Sequence, residues 1–126
     1  MSDLPTISEA ESVVMEVLWR ASPLTTEDVV AALYGKQEWQ ESTVKTLLNR
    51  LLNKGAISAE REGRRYLYSA VMQREEWLSL ESESLLERLF GGRVAPLVAH
   101  FSKQKKLTKK DLAELKRLIE EIEDER

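Results

Sequence analysis

The chain has 126 residues, of which 42% are hydrophobic and 33% charged, and its formal net charge is −3. This length suits one ordinary domain, or a small domain with an added oligomerisation element. The chain contains no cysteine, which excludes disulfides, thiolate metal sites and cysteine nucleophiles. It shows no apolar run near the roughly 20 residues of a membrane span, and no signal-peptide pattern. We therefore expect a cytoplasmic protein without membrane insertion, cofactor or metal.

Two short helices are predicted in the N-terminal third of the chain. Ser8 and the glutamate that follows it in the next helical turn have the spacing of a capping box, which predicts a helix over about 9–20. Thr25 or Thr26 then caps a second helix that runs to about Tyr34. A turn and a third helix follow. This order is typical of a helix-turn-helix, in which the last helix enters the major groove of DNA.

The third helix, over residues 41–55, is the segment around which the rest of the chain is organised. Ser42 is expected to cap its N-terminus and Gly55 to end it. Its apolar residues fall at helical spacing and predict one buried stripe, formed by Val44, Leu47, Leu48, Leu51 and Leu52. The opposite face offers hydroxyls, amides and cations, which suit base edges and phosphates. The candidate DNA-binding residues on this face are Ser42, Thr43, Lys45, Thr46, Asn49 and Arg50.

A β-hairpin is predicted directly after this helix. The apolar pattern changes to alternation, and two strands are expected at 56–61 and 65–70 around a turn in which Gly63 supplies a positive φ. The third helix and this hairpin carry a local basic patch made of Lys45, Arg50, Lys54, Arg61, Arg64 and Arg65. The three arginines lie at or near the hairpin tip, where their mutual repulsion favours an anionic partner, and they are candidate phosphate contacts. The sequence thus predicts a winged helix-turn-helix.

Three further helices are expected from residue 73 onward. The first ends at Gly91-Gly92, and Thr108 caps the last. Their apolar stripes are larger than one copy can cover, which favours a homodimer over an intramolecular bundle. The candidate interface residues are Leu86, Leu89, Phe90, Leu97, Val98, Phe101, Leu112, Leu115, Leu118, Ile119 and Ile122. We expect a mainly α fold with a small β-hairpin wing, divided into a DNA-binding domain at 1–72 and a helical dimerisation region at 73–126.

The chain resembles the penicillinase-repressor family of winged-helix regulators, which includes methicillin-resistance and copper-responsive repressors. The matching residues are 7–11 and 14–19 in the first helix, 43–47, 50–51 and 54–55 in the third, and 64–68 in the wing. The resemblance implies a cytoplasmic homodimer that represses by covering a promoter palindrome of double-stranded DNA. It also implies an interface built from the C-terminal helices.

Two departures from the family pattern concern how such a repressor is released. Copper-responsive members carry cysteine pairs, and this chain has none. β-Lactam-responsive members are inactivated by cleavage of an Asn-Phe bond, in a system with a membrane-embedded sensor protease. The corresponding pair here is His100-Phe101, in which the Phe is kept and the Asn is not. These two residues are the candidate cleavage site.

Enzymatic activity finds little support in the sequence. His100 is the sole histidine, and the chain has no nucleophile elbow, no Walker motif and no metal-ligand cluster. We therefore expect no enzyme and no catalytic residues. The predicted function is a DNA-binding transcriptional repressor that acts as a homodimer on a palindromic operator of a β-lactamase or related resistance gene. The alternative is a winged-helix protein-interaction module, which would expose apolar residues on its third helix.

Overall fold

The computed structural model describes residues 4–125 and consists of six helices and one hairpin. The elements are α1 (Glu9–Arg20), α2 (Thr26–Leu33), α3 (Glu41–Lys54), β1 (Ile57–Glu62), β2 (Arg65–Ala70), α4 (Arg74–Phe90), α5 (Val94–Lys103) and α6 (Lys109–Asp124). This is the mainly α fold with a hairpin wing that the sequence predicts. No helix among residues 4–125 is both long and apolar enough to cross a membrane.

The chain divides into two compact units, with the division between Leu80 and Glu81 inside α4. In the first unit, α1, α2, α3 and the hairpin surround a hydrophobic core. Its buried apolar residues are Ile7, Val14, Met15, Leu18, Val29, Leu33, Val44, Leu47, Leu48, Leu51, Ala56, Ile57, Tyr68 and Met72. The predicted apolar stripe of α3 is therefore confirmed, except that Leu52 is only partly buried.

Capping boxes begin both short helices; the sequence predicts the box at α1 and a threonine cap at α2. The Ser8 hydroxyl accepts a hydrogen bond from the Glu11 backbone N–H, and the Glu11 carboxylate accepts one from the Ser8 N–H. At the start of α2 the same reciprocal pair joins Thr25 and Asp28, so Thr25 rather than Thr26 is the cap. Each box satisfies two backbone donors that the first turn of a helix leaves without partners.

The start of α3 differs from the prediction. The N-cap lies two residues earlier than predicted, at Gln40, which has an extended conformation and makes no side-chain capping bond. Ser42 lies inside the first turn, so the expectation that it caps the helix was wrong. Gly55 ends α3 in the left-handed conformation at φ 77°, as predicted, and its N–H donates to the carbonyl groups of Leu51 and Leu52.

The hairpin is antiparallel and pairs Ile57 with Ala70 at its base and Glu62 with Arg65 at its tip. Only Gly63 and Arg64 form the turn. Gly63 has φ 65°, as the first central residue of a type II′ turn requires. The first strand is thus shifted by one residue from the predicted one.

A short bridge attaches the base of the hairpin to the helical part of the first unit. The Leu24 N–H donates to the Tyr68 carbonyl at 2.9 Å, and the Tyr68 N–H donates to the Leu24 carbonyl at 2.7 Å. Because these bonds join the hairpin to the segment between α1 and α2, the position of the wing is fixed relative to the helices.

The beginning of α4 belongs to the first unit. Trp77 packs against Trp19 with ring centroids 5.3 Å apart, and the Trp19 indole N–H donates to the Met72 carbonyl at 2.7 Å. Arg74 Nε donates to Glu16 Oε1 at 2.8 Å. The structural division after Leu80 therefore lies beyond residue 72, and the assignment of separate functions to 1–72 and 73–126 stays a prediction.

The second unit contains the end of α4, α5 and α6. Thr108 caps α6 through a box with Asp111, as predicted. None of α4, α5 and α6 contains a buried residue. The exposed apolar side chains include Leu89 at 61% and Ile119 at 54% of full exposure. A single copy therefore leaves the apolar stripes of these helices in contact with water.

Candidate nucleic-acid interface

The predicted DNA-binding face of α3 is open to solvent along its length. Its candidate residues, Ser42, Thr43, Lys45, Thr46, Asn49 and Arg50, are all exposed. They project away from the buried stripe because residues at helical spacing share a face. The helix therefore presents polar side chains outward and apolar side chains to the core.

Two of these residues have partners within α3. Lys45 Nζ lies 3.7 Å from Glu41 Oε1, and both side chains are exposed. Such a pair is weak and is screened by salt, so Lys45 can exchange it for a phosphate. The Thr46 hydroxyl donates to the Ser42 carbonyl at 3.0 Å. Its oxygen remains able to accept, and its methyl group is available for contact with a base.

Lys54 does not belong to the basic patch, in contrast to the prediction. Its ammonium group donates to the Glu11 carboxylate and, at 2.8 Å, to the Thr6 carbonyl. The Glu11 side chain is only 2% exposed. Burial by itself would raise the pKa of Glu11, but hydrogen bonds from Lys54 and Ser8 outweigh it and lower the pKa. Lys54 therefore joins α3 to α1 as a structural cation.

The three wing arginines differ in their surroundings. Arg61 Nε donates to the Gly63 carbonyl at 3.0 Å, and an Arg65 guanidinium nitrogen donates to Glu62 Oε1 at 3.1 Å. Arg64 lies in the turn, is exposed and has no ion pair within residues 4–125. The expected repulsion at the tip is thus relieved in part by Glu62. Within residues 4–125, Arg61 and Arg64 both lack an ion pair, and Arg64 also lacks a side-chain hydrogen bond.

A polar cleft brings the wing and α3 together. It has a volume of about 330 Å³, and its lining residues are Thr26, Glu27, Lys45, Asn49, Arg64, Arg65, Tyr66 and Tyr68. Four of them are candidates from the sequence: Lys45, Asn49, Arg64 and Arg65. The other candidates, Ser42, Thr43, Thr46, Arg50 and Arg61, lie outside the cleft on the exposed surfaces of α3 and the wing.

Sequence reasoning missed the contributions of α2 and of the wing tyrosines to this cleft. Tyr66 is 47% exposed and stacks toward Tyr68 with ring centroids 6.5 Å apart. The alternation of strand side chains places residues 66 and 68 on one face of β2 and could have indicated both tyrosines. The participation of Thr26 and Glu27 depends on the packing of α2 beside the wing, which no local pattern reveals.

The candidate interface residues lie on α4, α5 and α6. Those exposed are Leu89, Phe101, Leu112, Leu118, Ile119 and Ile122, and those partly buried are Leu86, Phe90, Leu97, Val98 and Leu115. The role of these residues in a dimer interface stays a prediction. The His100-Phe101 bond lies inside α5, where the His100 carbonyl accepts from the Gln104 N–H at 3.1 Å. A protease that prefers flexible segments would need the end of α5 to open before it could cut.

No group of three or more His, Asp or Glu side chains that could hold a metal ion is present between residues 4 and 125. The buried Glu11 carboxylate accepts hydrogen bonds from Lys54 and Ser8. The exposed face of α3 and the wing offers hydrogen bonding and ion pairing, through hydroxyls, amides and guanidinium groups.

Comparison with known proteins agrees with the winged fold. The family model of the penicillinase repressor matches residues 7–121. The penicillinase repressor of Bacillus licheniformis is 32% identical over 121 residues, which cover 96% of this chain and 94% of that protein. Among solved structures, the DNA-binding domain of the repressor BlaI is 36% identical, with a TM-score of 0.54, and covers 60% of this chain and 93% of that one.

A second solved structure is that of monomeric Bacillus licheniformis BlaI in complex with the blaP half-operator. It is 36% identical, has a TM-score of 0.52, and covers 60% of this chain and 93% of that one. The family match extends from Ile7 in front of α1 to Glu121 in α6, and so includes both compact units. The resemblance deduced from the residues is thus confirmed, and this chain belongs to the penicillinase repressor family.

Proposed function

We propose that this protein is a DNA-binding transcriptional repressor that acts as a homodimer on a palindromic promoter operator. The regulated gene is a β-lactamase or a related resistance gene. The protein acts in the cytoplasm, where the operator DNA is located. The observation that carries this proposal is the joining of Lys45 and Asn49 of α3 with Arg64 and Arg65 of the wing in one polar cleft.

The cleft combines the two kinds of contact that DNA recognition needs. Asn49 can form paired hydrogen bonds with an adenine edge, and the guanidinium groups of Arg64 and Arg65 can neutralise phosphates. The exposed hydroxyl groups of α3 add further short contacts. The Leu24–Tyr68 bridge fixes the wing to the helical part of the first unit. The polar side chains of α3 and the wing arginines therefore keep their relative positions. This geometry supports reading of bases by α3 and phosphate contact by the wing.

The similarity to BlaI supports the same function. The half-operator complex of that relative contains a winged domain that is 36% identical to this chain. The first unit of this chain carries the corresponding helices and hairpin. A repressor of this kind recognises DNA with a helix placed in the major groove.

The alternative function, a winged-helix module that binds proteins, fits the surface of α3 less well. An interaction module should expose apolar side chains on that helix. The four buried residues of α3 are all apolar, Leu52 is partly buried, and every exposed residue of the helix is polar. We therefore favour DNA over protein as the partner of the first unit.

A gel-shift assay with a matched pair of asparagine variants tests the proposal. Asn49 and Asn53 are both exposed on α3, but only Asn49 lines the cleft. We expect the wild-type protein to bind its own promoter more tightly than scrambled DNA. Asn49→Ala should lose about 1–3 kcal/mol of that discrimination, whereas Asn53→Ala should retain it. Equal binding of promoter and scrambled DNA by the wild type would contradict the proposal.

The homodimer part of the proposal rests on the exposed apolar side chains of the second unit. Leu112 is 46% exposed, Ile119 54% and Ile122 53%, and all three lie at heptad spacing along α6. Apolar surface of this kind usually marks an interface between proteins. A second copy presents the same stripe, so a two-fold dimer can bury both.

Sedimentation of two α6 variants tests this part. Ile119→Glu places a charge in the exposed apolar stripe and should dissociate the dimer. Ala113→Glu introduces the same side chain at an exposed position outside the candidate interface and should leave the dimer intact. A wild-type protein that sediments as a monomer at micromolar concentration would exclude the homodimer.

A further inference from the structure

A second cavity, distinct from the polar cleft, lies between α1 and α2 in the first unit. Its volume is about 430 Å³, which falls within the range of about 300–1,000 Å³ that is typical of small-molecule sites. Its lining residues are Val13, Glu16, Val17, Arg20, Ala21, Leu24, Asp28, Ala32, Leu33, Lys36 and Gln37. None of them is a candidate DNA-binding or interface residue, so the proposed function leaves this cavity without a role.

The walls of this α1–α2 pocket are apolar. Val13 and Val17 lie on α1 and are only partly buried, Leu24 lies in the connection between the helices, and Leu33 reaches the hydrophobic core. Apolar side chains that remain partly exposed in a concave surface gain from covering by an apolar group. The walls therefore suit the hydrocarbon part of a ligand.

The rim of the pocket carries two acids and two cations, and only the acids have partners within the protein. The Glu16 carboxylate is bound by Arg74 Nε at 2.8 Å. The Asp28 carboxylate accepts a hydrogen bond from the Thr25 N–H at 3.0 Å, and this bond is the main reason why its pKa is lowered. Both acids are thus engaged within the protein.

The two cations of the rim are not engaged in this way. Arg20 and Lys36 are exposed, and neither has an ion pair within the described part of the chain. Arg20 is the last residue of α1, and Lys36 follows α2. The rim therefore offers two positive charges without ion pairs, one from the end of α1 and one from the segment after α2.

We propose that the α1–α2 pocket binds a small organic carboxylate, whose apolar body occupies the groove and whose carboxylate meets Arg20 and Lys36. A neutral apolar molecule would use the walls but leave both cations unpaired. An amine would meet the same two cations with a like charge. The carboxylate is the ligand class that satisfies walls and rim together.

The pocket adjoins the segment that leads into α3. The N–H groups of Lys36 and Gln37 donate to the Leu33 carbonyl at 2.9 and 3.0 Å, which holds this segment against the end of α2. Gln40, the N-cap of α3, follows only a few residues later. A ligand bound at Lys36 and Gln37 thus contacts the chain just ahead of the proposed recognition helix.

An NMR titration of the full-length, ¹⁵N-labelled protein tests the ligand class. The probes are 4-phenylbutyrate, its neutral amide 4-phenylbutanamide and the amine 4-phenylbutylamine, which share one apolar body. We expect the carboxylate to shift the amide signals of Val17, Ala32 and Lys36 in a saturable manner and to bind more tightly than the other two. Binding of the amine with equal or greater affinity, or no saturable shift with any probe, would overturn the proposal.

A pair of alanine variants places the site. Ala32 lines the pocket, whereas the neighbouring Ala31 is exposed outside it. Ala32→Phe should fill the groove and abolish the shifts, and Ala31→Phe should leave them unchanged. Binding of 4-phenylbutyrate that survives Ala32→Phe in a folded protein would move the ligand elsewhere.

Variants of the rim test the role of the cations and do not depend on the folding of Ala32→Phe. Arg20→Gln and Lys36→Gln should each weaken 4-phenylbutyrate binding roughly two- to fivefold, as expected for an exposed ion pair. Binding of the neutral amide should change little. Lys110→Gln, on α6, is the matched control. Unchanged carboxylate affinity in the double rim variant would refute the assigned contact.

Discussion

Replacement of Lys54 by methionine tests whether this lysine is a structural cation or a DNA-binding one. Sequence position places Lys54 in a basic patch beside Arg50, yet its ammonium group pairs with Glu11 of α1. We expect Lys54→Met to lower the free energy of unfolding and to leave the salt dependence of DNA binding unchanged. Methionine keeps most of the apolar stem of lysine, so the change removes mainly the charge and its hydrogen bonds.

The magnitude follows from the burial of the two partners. The Glu11 side chain is 2% exposed, whereas that of Lys54 is 35% exposed. Removing one partner of a fully buried pair costs about 3–5 kcal/mol, and leaving a buried polar group without its partner costs about 1–3 kcal/mol. Glu11 keeps its hydrogen bonds to Ser8. We therefore expect a loss of about 3 kcal/mol, where the two ranges meet. The free energy of unfolding of a typical domain is about 5–15 kcal/mol, so this loss is a large part of it.

Urea denaturation followed by tryptophan fluorescence measures this loss. Wild type and variants are compared at one protein concentration, because dimerisation makes apparent stability depend on concentration. Lys36→Met, which removes an exposed lysine without an ion pair, should change the free energy of unfolding by less than about 0.5 kcal/mol. In a Glu11→Gln background, Lys54→Met should cost less than about 1 kcal/mol, since no buried charge is then left unpaired.

The Lys54–Glu11 ion pair also predicts how the free energy of unfolding depends on pH. The folded-state pKa of Glu11 is lowered, so its stabilising contribution is present above the unfolded-state pKa of about 4.3. That contribution is lost as the pH falls through the lowered folded-state value. The difference between wild type and Lys54→Met should therefore be full at neutral pH and narrow in more acidic solution. An unchanged free energy of unfolding in Lys54→Met at pH 7, or a flatter salt dependence of DNA binding, would refute the reasoning.

Four further predictions concern the DNA interface and the division of the chain. Arg64→Ala should weaken binding to all DNA sequences alike and reduce the salt slope by about one unit per half-site, measured by fluorescence anisotropy at several salt concentrations. An unchanged slope would remove Arg64 from the phosphate contacts. Thr46→Ala should instead change sequence preference by about 1–3 kcal/mol at one base pair, measured with a set of operator variants. A fragment of residues 1–72 should be monomeric by sedimentation and lose most operator affinity, because linked half-sites gain from high effective concentration. A fragment of residues 1–80 should be more stable to urea by about 2 kcal/mol, because it retains the packing of Trp77 on the core. Equal stability of the two fragments would show that this packing contributes nothing.

Membership of a repressor family confirms that the chain is not an enzyme, as the lack of catalytic motifs indicates. It also confirms the family that the ordered set of residues in α1, α3 and the wing suggests. That set is specific because it combines two kinds of position. Core positions such as Leu47 are constrained by packing, whereas exposed positions such as Arg64 are not.

The sequence by itself determined the helices, the wing and the polar outer face of α3. These features depend on local physical chemistry: the spacing of apolar residues sets a buried stripe, capping boxes start helices at Ser8 and Thr25, and Gly63 permits the tight turn. Such patterns act between residues close in the chain and can be read without the fold. The N-cap of α3 escaped prediction because Gln40 caps with its backbone alone.

Only the tertiary structure decided which charges are free and which surfaces meet. Lys54 and Arg64 look alike as basic residues of one segment, but Glu11, 43 positions from Lys54, pairs with the first and nothing described pairs with the second. The extension of the first unit to Leu80, the cleft between α3 and the wing, and the α1–α2 pocket also arise from contacts between distant segments. Pairing over such separations depends on how the helices pack, and packing is not encoded in any one stretch of the chain.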